Sequence, residues 1–402
     1  MKSKIINDPV HGFISLPQGI LLDIIEHPYF QRLRRIAQVS LTHYVYPGAI
    51  HTRFHHALGA MHLMDQALSS LRAKGVDISD EESLAARQAI LLHDIGHGPF
   101  SHTLENSLIG VSHEQLSIFF MEKLNEEFGG ALDLAIRIFK NEYPRPFLHE
   151  LISGQLDMDR MDYLSRDSYF TGVYEGVIGY DRLIKMLDVR EDELVVEEKG
   201  IYSIEKFLMA RRLMYWQVYL HKTVLASELM LIRVLQRAGA LGRAGALKSH
   251  PGALSVFLER EITAKDFEEN RDEWLEAFSR LDDVDVLYAL KQFAREEDFL
   301  LSFLSSGILS RRLFKLVFSQ EPFGEEEIGR QVRQVANRYH LTEEQAAELV
   351  FSGVESNEEY NIKAGEIKVL FKSGEILPFS ESLGYEIQPK LIKKYYLCFP
   401  KG

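Results

Sequence analysis

The chain has 402 residues, a formal net charge of -13 and a single cysteine. That length suits one large core plus a smaller unit. The acidic balance excludes a general nucleic-acid coat or an anionic membrane surface as partner, though not an anionic small substrate met by a local Arg/Lys cluster. With Cys398 alone there is no intrachain disulfide framework, and its plainest reading is a small buried hydrophobe in a terminal strand. The first residues carry no apolar signal core, and no stretch approaches the roughly 18 apolar residues of a membrane span. A cytoplasmic setting with no membrane partner is therefore expected.

In chain order, residues 1–20 read as extended, punctuated by Pro9, Gly12 and Pro17. Leu21 to Glu26 opens a helical period, which Tyr29 to Val39 continues with Phe30, Leu33, Ile36 and Ala37 on one face. His56 to Ala73 repeats the pattern. Asp80-Glu81-Glu82 starts a helix that reaches Leu92, and Gly96, Gly98 and Pro99 end it. Further helices are expected over 113–127, 131–140, 147–153 and 157–168. Glu193 to Ser203 reads as a hairpin around Gly200, followed by one long helix from about Ile204 to Arg237. The pentapeptide Arg237–Leu241 recurs as Arg243–Leu247 and reads as a duplication within a loop, too short in period for a solenoid. Residues 260–352 look helical. Ile367–Phe371 and Glu375–Phe379 flank Lys372-Ser373-Gly374 as a hairpin, with Tyr395–Phe399 as a third strand. The expectation is a mainly α protein, with a helical core over 1–320 and a small α+β C-terminal subdomain over 321–402.

Chemistry concentrates in four segments. His93 and Asp94 stand side by side at the end of an apolar helix, where an unpartnered carboxylate would cost several kcal/mol. A bound cation removes that cost, since imidazole nitrogen and carboxylate oxygen are both metal ligands. His51-Thr-Arg53-Phe-His55-His56 precedes this pair, and His113-Glu114 follows it. Further on, Asp159, Asp162, Tyr163, Arg166 and Asp167 recur at helical spacing and project to one side. Apolar packing would need Leu or Ile there, so that face lines a polar cleft, into which His97 and His102 can also point. Any one of these residues alone is a weak signal, and a lone histidine is more often a satisfied core or surface group. The order His, His-Asp, Asp is more specific. It supplies four metal ligands, His56, His93, Asp94 and Asp159, and leaves coordination positions open, as a catalytic site requires. No cysteine cluster supports a structural zinc site.

In this order and in the runs Asn7–Gly12, Phe30–Arg34, Tyr46–Ala49, Arg53-Phe54, His93–His102 and Asp159–Asp167, the chain resembles the HD-domain metal-dependent phosphohydrolases. More narrowly it is similar to the deoxynucleoside triphosphate triphosphohydrolases related to the sterile-alpha-motif and HD-domain protein. The resemblance covers about residues 4–240. It implies a helical HD-domain core and a divalent transition metal (iron, manganese or zinc) on His56, His93, Asp94 and Asp159, with magnesium accompanying the triphosphate. Such a metal would activate water and polarise a phosphoryl oxygen. The resemblance further implies His102 as general acid, and His97 and His113 as donors beside the phosphates, with Glu114 or Glu105 orienting an imidazole. Arg53, Arg160 and Arg211 match phosphate-binding positions, against the alternative of surface solvation. Gln38 and Asp167 match groups on the 3′-hydroxyl, and Val39 an apolar contact at the 2′ carbon. Tyr163 and Tyr219 match walls around sugar and base, or are simply core. Leu220 departs from a glutamine of the family, and Ser40–His43 from a glycine-rich stretch. Lys4, Glu26, Gln31 and Arg34 match a regulatory nucleotide site, with a salt-bridged subunit interface as the alternative. The implied activity is cleavage of a dNTP to deoxynucleoside and triphosphate by a homo-oligomer, a dimer or tetramer, under a nucleotide effector. An HD phosphohydrolase for another phosphoester, or a nucleotide-sensing assembly protein, are the alternatives.

Overall fold

The computed structural model describes residues 4–100, 102–105, 107–358, 365–382 and 391–401. Strands β1 (Lys4–Asp8) and β2 (Gly12–Leu16) form an antiparallel hairpin, so the extended N-terminus is an ordered ribbon. Helices α1 (Ile20–Glu26) and α2 (Pro28–Gln31) follow, and the chain tightens into a 3₁₀ turn over Arg32–Arg35. Ile36–Val39, expected as helix, leaves it: Ile36 is extended, and Ala37 bridges Thr52 instead. This releases Gln38 and Val39 from a helix surface and turns them toward a cavity.

Helix α3 (Arg53–Ala73) is buried almost all round, as expected of a central helix, and packs against α4 (Asp80–Leu92). A capping box starts α4, with Ser79 Oγ accepting from Glu82 N at 3.1 Å and Glu82 Oε2 accepting from Ser79 N at 2.8 Å. After α4 the chain passes through the short α5 (His102–Glu105) and strand β3 (Ile109–Gly110) to α6 (His113–Glu127). Gly96 is needed here, because a Cβ on it would overlap the backbone of His113 and Ser117. Ser117 Oγ locks the turn, accepting from Gly96 N at 2.9 Å and donating to the His93 carbonyl at 2.8 Å. Helices α7 (Asp133–Phe139) and α8 (Pro146–Glu150) lead to α9 (Met158–Thr171). Asp157 caps α9 at its start, and Gly172, at φ 73, ends it. Helix α9 lies along α3.

After α10 (Tyr180–Met186) comes a hairpin of β4 (Leu187–Arg190) and β5 (Glu193–Glu197). It replaces the hairpin expected over 193–203. The turn is made by Glu191 and Asp192, both at positive φ and neither a glycine, whereas Gly200 begins a helix instead. The expected single helix from Ile204 is two, α11 (Ile201–Met214) and α12 (Lys222–Arg243). Between them Tyr215–Tyr219 widen into a π turn, and His221 restarts the helix by accepting from Thr223 N at 3.2 Å. The duplicated pentapeptides differ in structure. Arg237–Leu241 lies inside α12, whereas Arg243 ends it and Gly245, at φ 64, turns the chain away.

Residues 260–352 are helical with exceptions: β6 (Ile262–Thr263), β7 (Lys315–Ser319) and the start of β8 (Phe351–Glu358). The hairpin around Lys372-Ser373-Gly374 is present as β9 (Lys368–Leu370) and β10 (Ile376–Pro378). It extends the β4–β5 sheet in the order β10-β9-β5-β4, with β9 parallel to β5. Strand β11 (Leu391–Phe399) contains the third expected strand but sits in another sheet, between β7 and β8. Strands after residue 320 are thus hydrogen-bonded to strands before it, and one apolar core runs from Ile14 to Cys398. The protein is mainly α, as expected, and among the described residues no helix is long and apolar enough to cross a membrane. Burial pushes the Cys398 thiol up to about 12, consistent with packing rather than reactivity.

The α3–α9 contact depends on one missing side chain. A Cβ on Gly59 would overlap the Asp162 carboxylate and the Arg166 guanidinium of α9. Gly59→Ala is expected to lower stability by about 1–3 kcal/mol through overpacking, although alanine favours helix. Denaturant titration checks this, and a more stable variant would show the contact to be slack.

Candidate metal centre and active-site cavity

Three elements bring His56 (α3), His93 (after α4) and Asp159 (first turn of α9) together. His56 Nε2 is 3.2 Å from His93 Nε2 and 3.1 Å from Asp159 Oδ1, and His93 Nε2 is 3.5 Å from that oxygen. His56 Nδ1 lies 2.8 Å from Asp162 Oδ2, and His93 Nδ1 lies 2.6 Å from the Ile90 carbonyl. Ionised carboxylates and carbonyls only accept, so both Nδ1 atoms donate. The two Nε2 atoms then face each other as lone pairs, beside a carboxylate, and a cation must lie among them. When that cation is a proton, the hydrogen bonds to Asp159 and Asp162 outweigh burial, which alone would lower it, and push His56 up to about 10. A metal fits the same space, since ligands held at about 2.0–2.2 Å from one ion stand about 2.8–3.6 Å apart.

Asp94, expected as the fourth ligand, borders this group. Its Oδ1 is 3.4 Å from His93 Nε2, and its Oδ2 is 3.7 Å from His56 Nε2. The same carboxylate accepts from Arg53 and lies 3.3 Å from His97 Nε2. Burial would raise it, but Arg53, His93 and His97 together hold it well below the usual carboxylate range. Burial and the Arg53 charge hold His97 well below its ordinary value, as a neutral imidazole. His97 stacks on His113 with ring centroids 4.0 Å apart, and His113 Nδ1 is 3.1 Å from Glu105. Of the two expected orienting acids, Glu105 is thus the one against His113, whereas Glu114 is exposed. His102 begins α5, and its side chain lies outside the described residues.

A cavity of about 400 Å³ opens beside the centre. Asp94, Asp159, Arg53, His97 and His113 line it, together with Gln38, Val39, Tyr163, Asp167 and Tyr219. Asp167 is held by two neighbours. His51 Nε2 is 2.6 Å from one carboxylate oxygen, and the Tyr219 hydroxyl donates to the other at 2.6 Å. Tyr163 and Tyr219 meet edge to face, 6.3 Å between centroids, and burial raises both phenols above their ordinary value. The two remaining expected phosphate ligands are engaged elsewhere. Arg160 donates to Asp157 and the Gly154 carbonyl, and Arg211 reaches Gln155 at 3.5 Å. Lys4 pairs with Glu26 at 2.8 Å, and Arg34 donates to Gln31 at 2.8 Å while lying 3.6 Å over the Phe54 ring.

Several residues gained a role only in three dimensions. Asp162 accepts from His11 Nε2 at 2.6 Å and from Arg166 Nε at 2.8 Å, besides His56. Arg166 is fully buried between Asp162 and Asp8, to which it donates at 2.8 Å. The i, i+3 spacing of Asp159 and Asp162 was a usable signal for this pair. His11 lies in the run Asn7–Gly12 that carries the resemblance, whereas nothing local marked Tyr215 or Glu228, which come from distant elements.

Residues 53–167 match the HD domain and residues 178–248 the HD associated region. The chain belongs to the HD-domain phosphohydrolases. Its structure is similar to that of a phosphohydrolase from Bacteroides thetaiotaomicron VPI-5482, with 50% identity, a TM-score of 0.95 and 100% of each chain covered. YwfO, an uncharacterized protein of Bacillus subtilis, is 34% identical over 325 residues, 79% of this chain and 72% of that protein. The SAMHD1 homolog of Dictyostelium discoideum, named a deoxynucleoside triphosphate triphosphohydrolase, is 32% identical over 249 residues. This match takes in 57% of the chain and 48% of that relative, so the chain spans about half its length.

Asp162 sets the proton position on His56 without facing the metal space. Asp162→Asn is expected to weaken metal binding by roughly 10- to 100-fold, the usual loss when a group behind a ligand imidazole is changed. A metal titration measures this, and unchanged affinity would refute the assignment.

Proposed function

We propose that this protein is a metal-dependent deoxynucleoside triphosphate triphosphohydrolase, releasing deoxynucleoside and inorganic triphosphate. One observation carries the reading: Asp159 of the imidazole–carboxylate group, with Asp94 beside it, lines the same cavity as the residues suited to a deoxyribose. A divalent transition metal on His56, His93, Asp159 and Asp94 would supply activated water and neutralise phosphoryl charge, and iron, manganese and zinc all suit this donor set. Magnesium would travel with the triphosphate.

The chain's own residues divide the remaining work. Arg53 presents a guanidinium to the phosphates while its Asp94 contact fixes its direction. Neutral His97 and the Glu105-oriented His113 donate to phosphoryl oxygens. His102 protonates the departing 5′ oxygen, leaving the sugar as an alcohol. Asp167 and Gln38 take the 3′-hydroxyl. The Gln38 side-chain oxygen is buried without a protein partner among the described residues, and so is open to a ligand donor. Val39 lies where a 2′-hydroxyl would be crowded and unpaired. Arg160 and Arg211 approach the phosphates only if substrate displaces their present contacts.

Incubation with each dNTP and NTP, with identification of the phosphate product, tests the reading. Triphosphate from dNTPs in preference to NTPs is expected, with Val39→Ala narrowing the gap and His93→Ala losing metal and turnover together. Release of monophosphate or pyrophosphate would replace this reading with another phosphoester hydrolase.

The same proposal extends to regulation. Lys4, Glu26, Gln31 and Arg34 form an effector-nucleotide site at the interface of a dimer or tetramer. Arg34 stacks on Phe54, the neighbour of Arg53, which gives a short route to the cavity. Arg34→Ala and Glu26→Ala are expected to abolish activation of one dNTP's hydrolysis by a second, with metal content intact. Titration of the second nucleotide, with mass measured in solution, decides it, and activation that survives both substitutions would leave an ordinary surface.

A further inference from the structure

Helix α12 turns Val224 and Glu228, one helical turn apart, into the cavity. Neither α12 nor the turn Ser40–Tyr44 packed against it holds a metal-ligand residue. Tyr163 and Tyr219 line the cavity as well. Consecutive residues measure the path: Gln38 and Val39 belong to the sugar region, and Ser40, next along the chain, lies beside Glu228 on the cavity wall. A nucleotide with phosphates at Arg53 and sugar at Gln38 therefore points its base toward α12.

Glu228 is an unusual group for such a wall. Its side chain is half-buried on the cavity wall, its neighbours are the Ser40 hydroxyl and the like-charged Glu355 of β8, and among the described residues no cation pairs with it. Burial outweighs the neighbouring Ser40 hydroxyl and pushes the carboxyl up to about 7. A half-buried carboxylate in this position lacks donors, and a ligand with two adjacent N–H groups would provide them.

We propose that Glu228 is a specificity-determining residue that reads the nucleobase and selects guanine. Guanine alone among the four bases offers two neighbouring donors, N1–H and the 2-amino group, matched to the two oxygens of one carboxylate. On adenine and cytosine the amino group stands beside a ring-nitrogen acceptor, and on thymine the single N–H lies between two carbonyls, so each sets an acceptor against Glu228. The inference rests on the nucleotide reading of the cavity.

Calorimetric binding of deoxyguanosine and deoxyinosine, in alkaline buffer that keeps Glu228 ionised, tests it without turnover. Deoxyinosine lacks only the 2-amino group. Deoxyguanosine is expected to bind roughly ten- to a hundredfold more tightly, the range of a paired base contact, and Glu228→Gln should close the gap. Should that variant fail to fold, Glu228→Asp, which retracts the charge by one methylene, carries the same expectation. Equal affinities in the parent, no binding of either nucleoside, or a gap that persists in the variant would each overturn the proposal. Triphosphate release from dNTPs is measured separately. Guanine selection without hydrolysis leaves this inference standing and removes the hydrolase reading, whereas hydrolysis with equal nucleoside affinities removes only this inference.

Discussion

The buried carboxylate of Asp162 joins the parts of this molecule that would otherwise be separate. It accepts from His11 on the N-terminal hairpin, from His56 on α3 and from Arg166 on its own helix. These contacts are mutually dependent. Arg166 is tolerable inside only because Asp162 and Asp8 flank it, and removing one partner of such a pair costs about 3–5 kcal/mol. Gly59 leaves the space in which they meet. The proton that Asp162 holds on His56 Nδ1 leaves Nε2 as a lone pair, so the packing of α3 on α9 and the readiness of the metal centre are one constraint.

From that centre outward, polarity is graded. Nearest are groups that converge on a cation: two imidazoles and a carboxylate, with Asp94 at the border. Next come Arg53, His97 and His113, held by Asp94, by stacking and by Glu105, an arrangement suited to phosphoryl oxygens. Asp167, the tyrosines and the wall of α12 complete the cavity lining. Asp167 is held by His51 and His113 by Glu105 without any ligand, as a preorganised site requires.

Much of this was legible in the chain. Helices α3, α4, α6 and α9 follow from apolar periodicity and from capping residues such as Ser79 and Asp157, because those signals act within a few residues. The signals failed where local preference was overruled. Glu191-Asp192 make a turn that usually asks for glycine. The helix after Gly200 opens into a π turn that brings Tyr215 and Tyr219 to the cavity, and periodicity carries no mark of such a change. Identical pentapeptides sit inside a helix and at its end, a difference that the five residues themselves do not carry. Strands β9 and β11, near in sequence, join different sheets because their pairing is decided by distant partners.

The sequence by itself determined the donor types and their order along the chain: imidazole, imidazole with carboxylate, and carboxylate, on helices that bury them. It could not say how two like residues on one helix divide their work. Asp159 and Asp162 are the same residue type, three positions apart on one face of α9. Tertiary packing alone sets Asp159 against His56 Nε2 at 3.1 Å, where a cation belongs, and Asp162 against His56 Nδ1 at 2.8 Å, where it holds a proton. The physical reason is that an imidazole has two distinct nitrogens. Which carboxylate meets which nitrogen depends on the rotation of α9 against α3, set by Gly59, Arg166 and Asp8, residues that lie far apart in sequence.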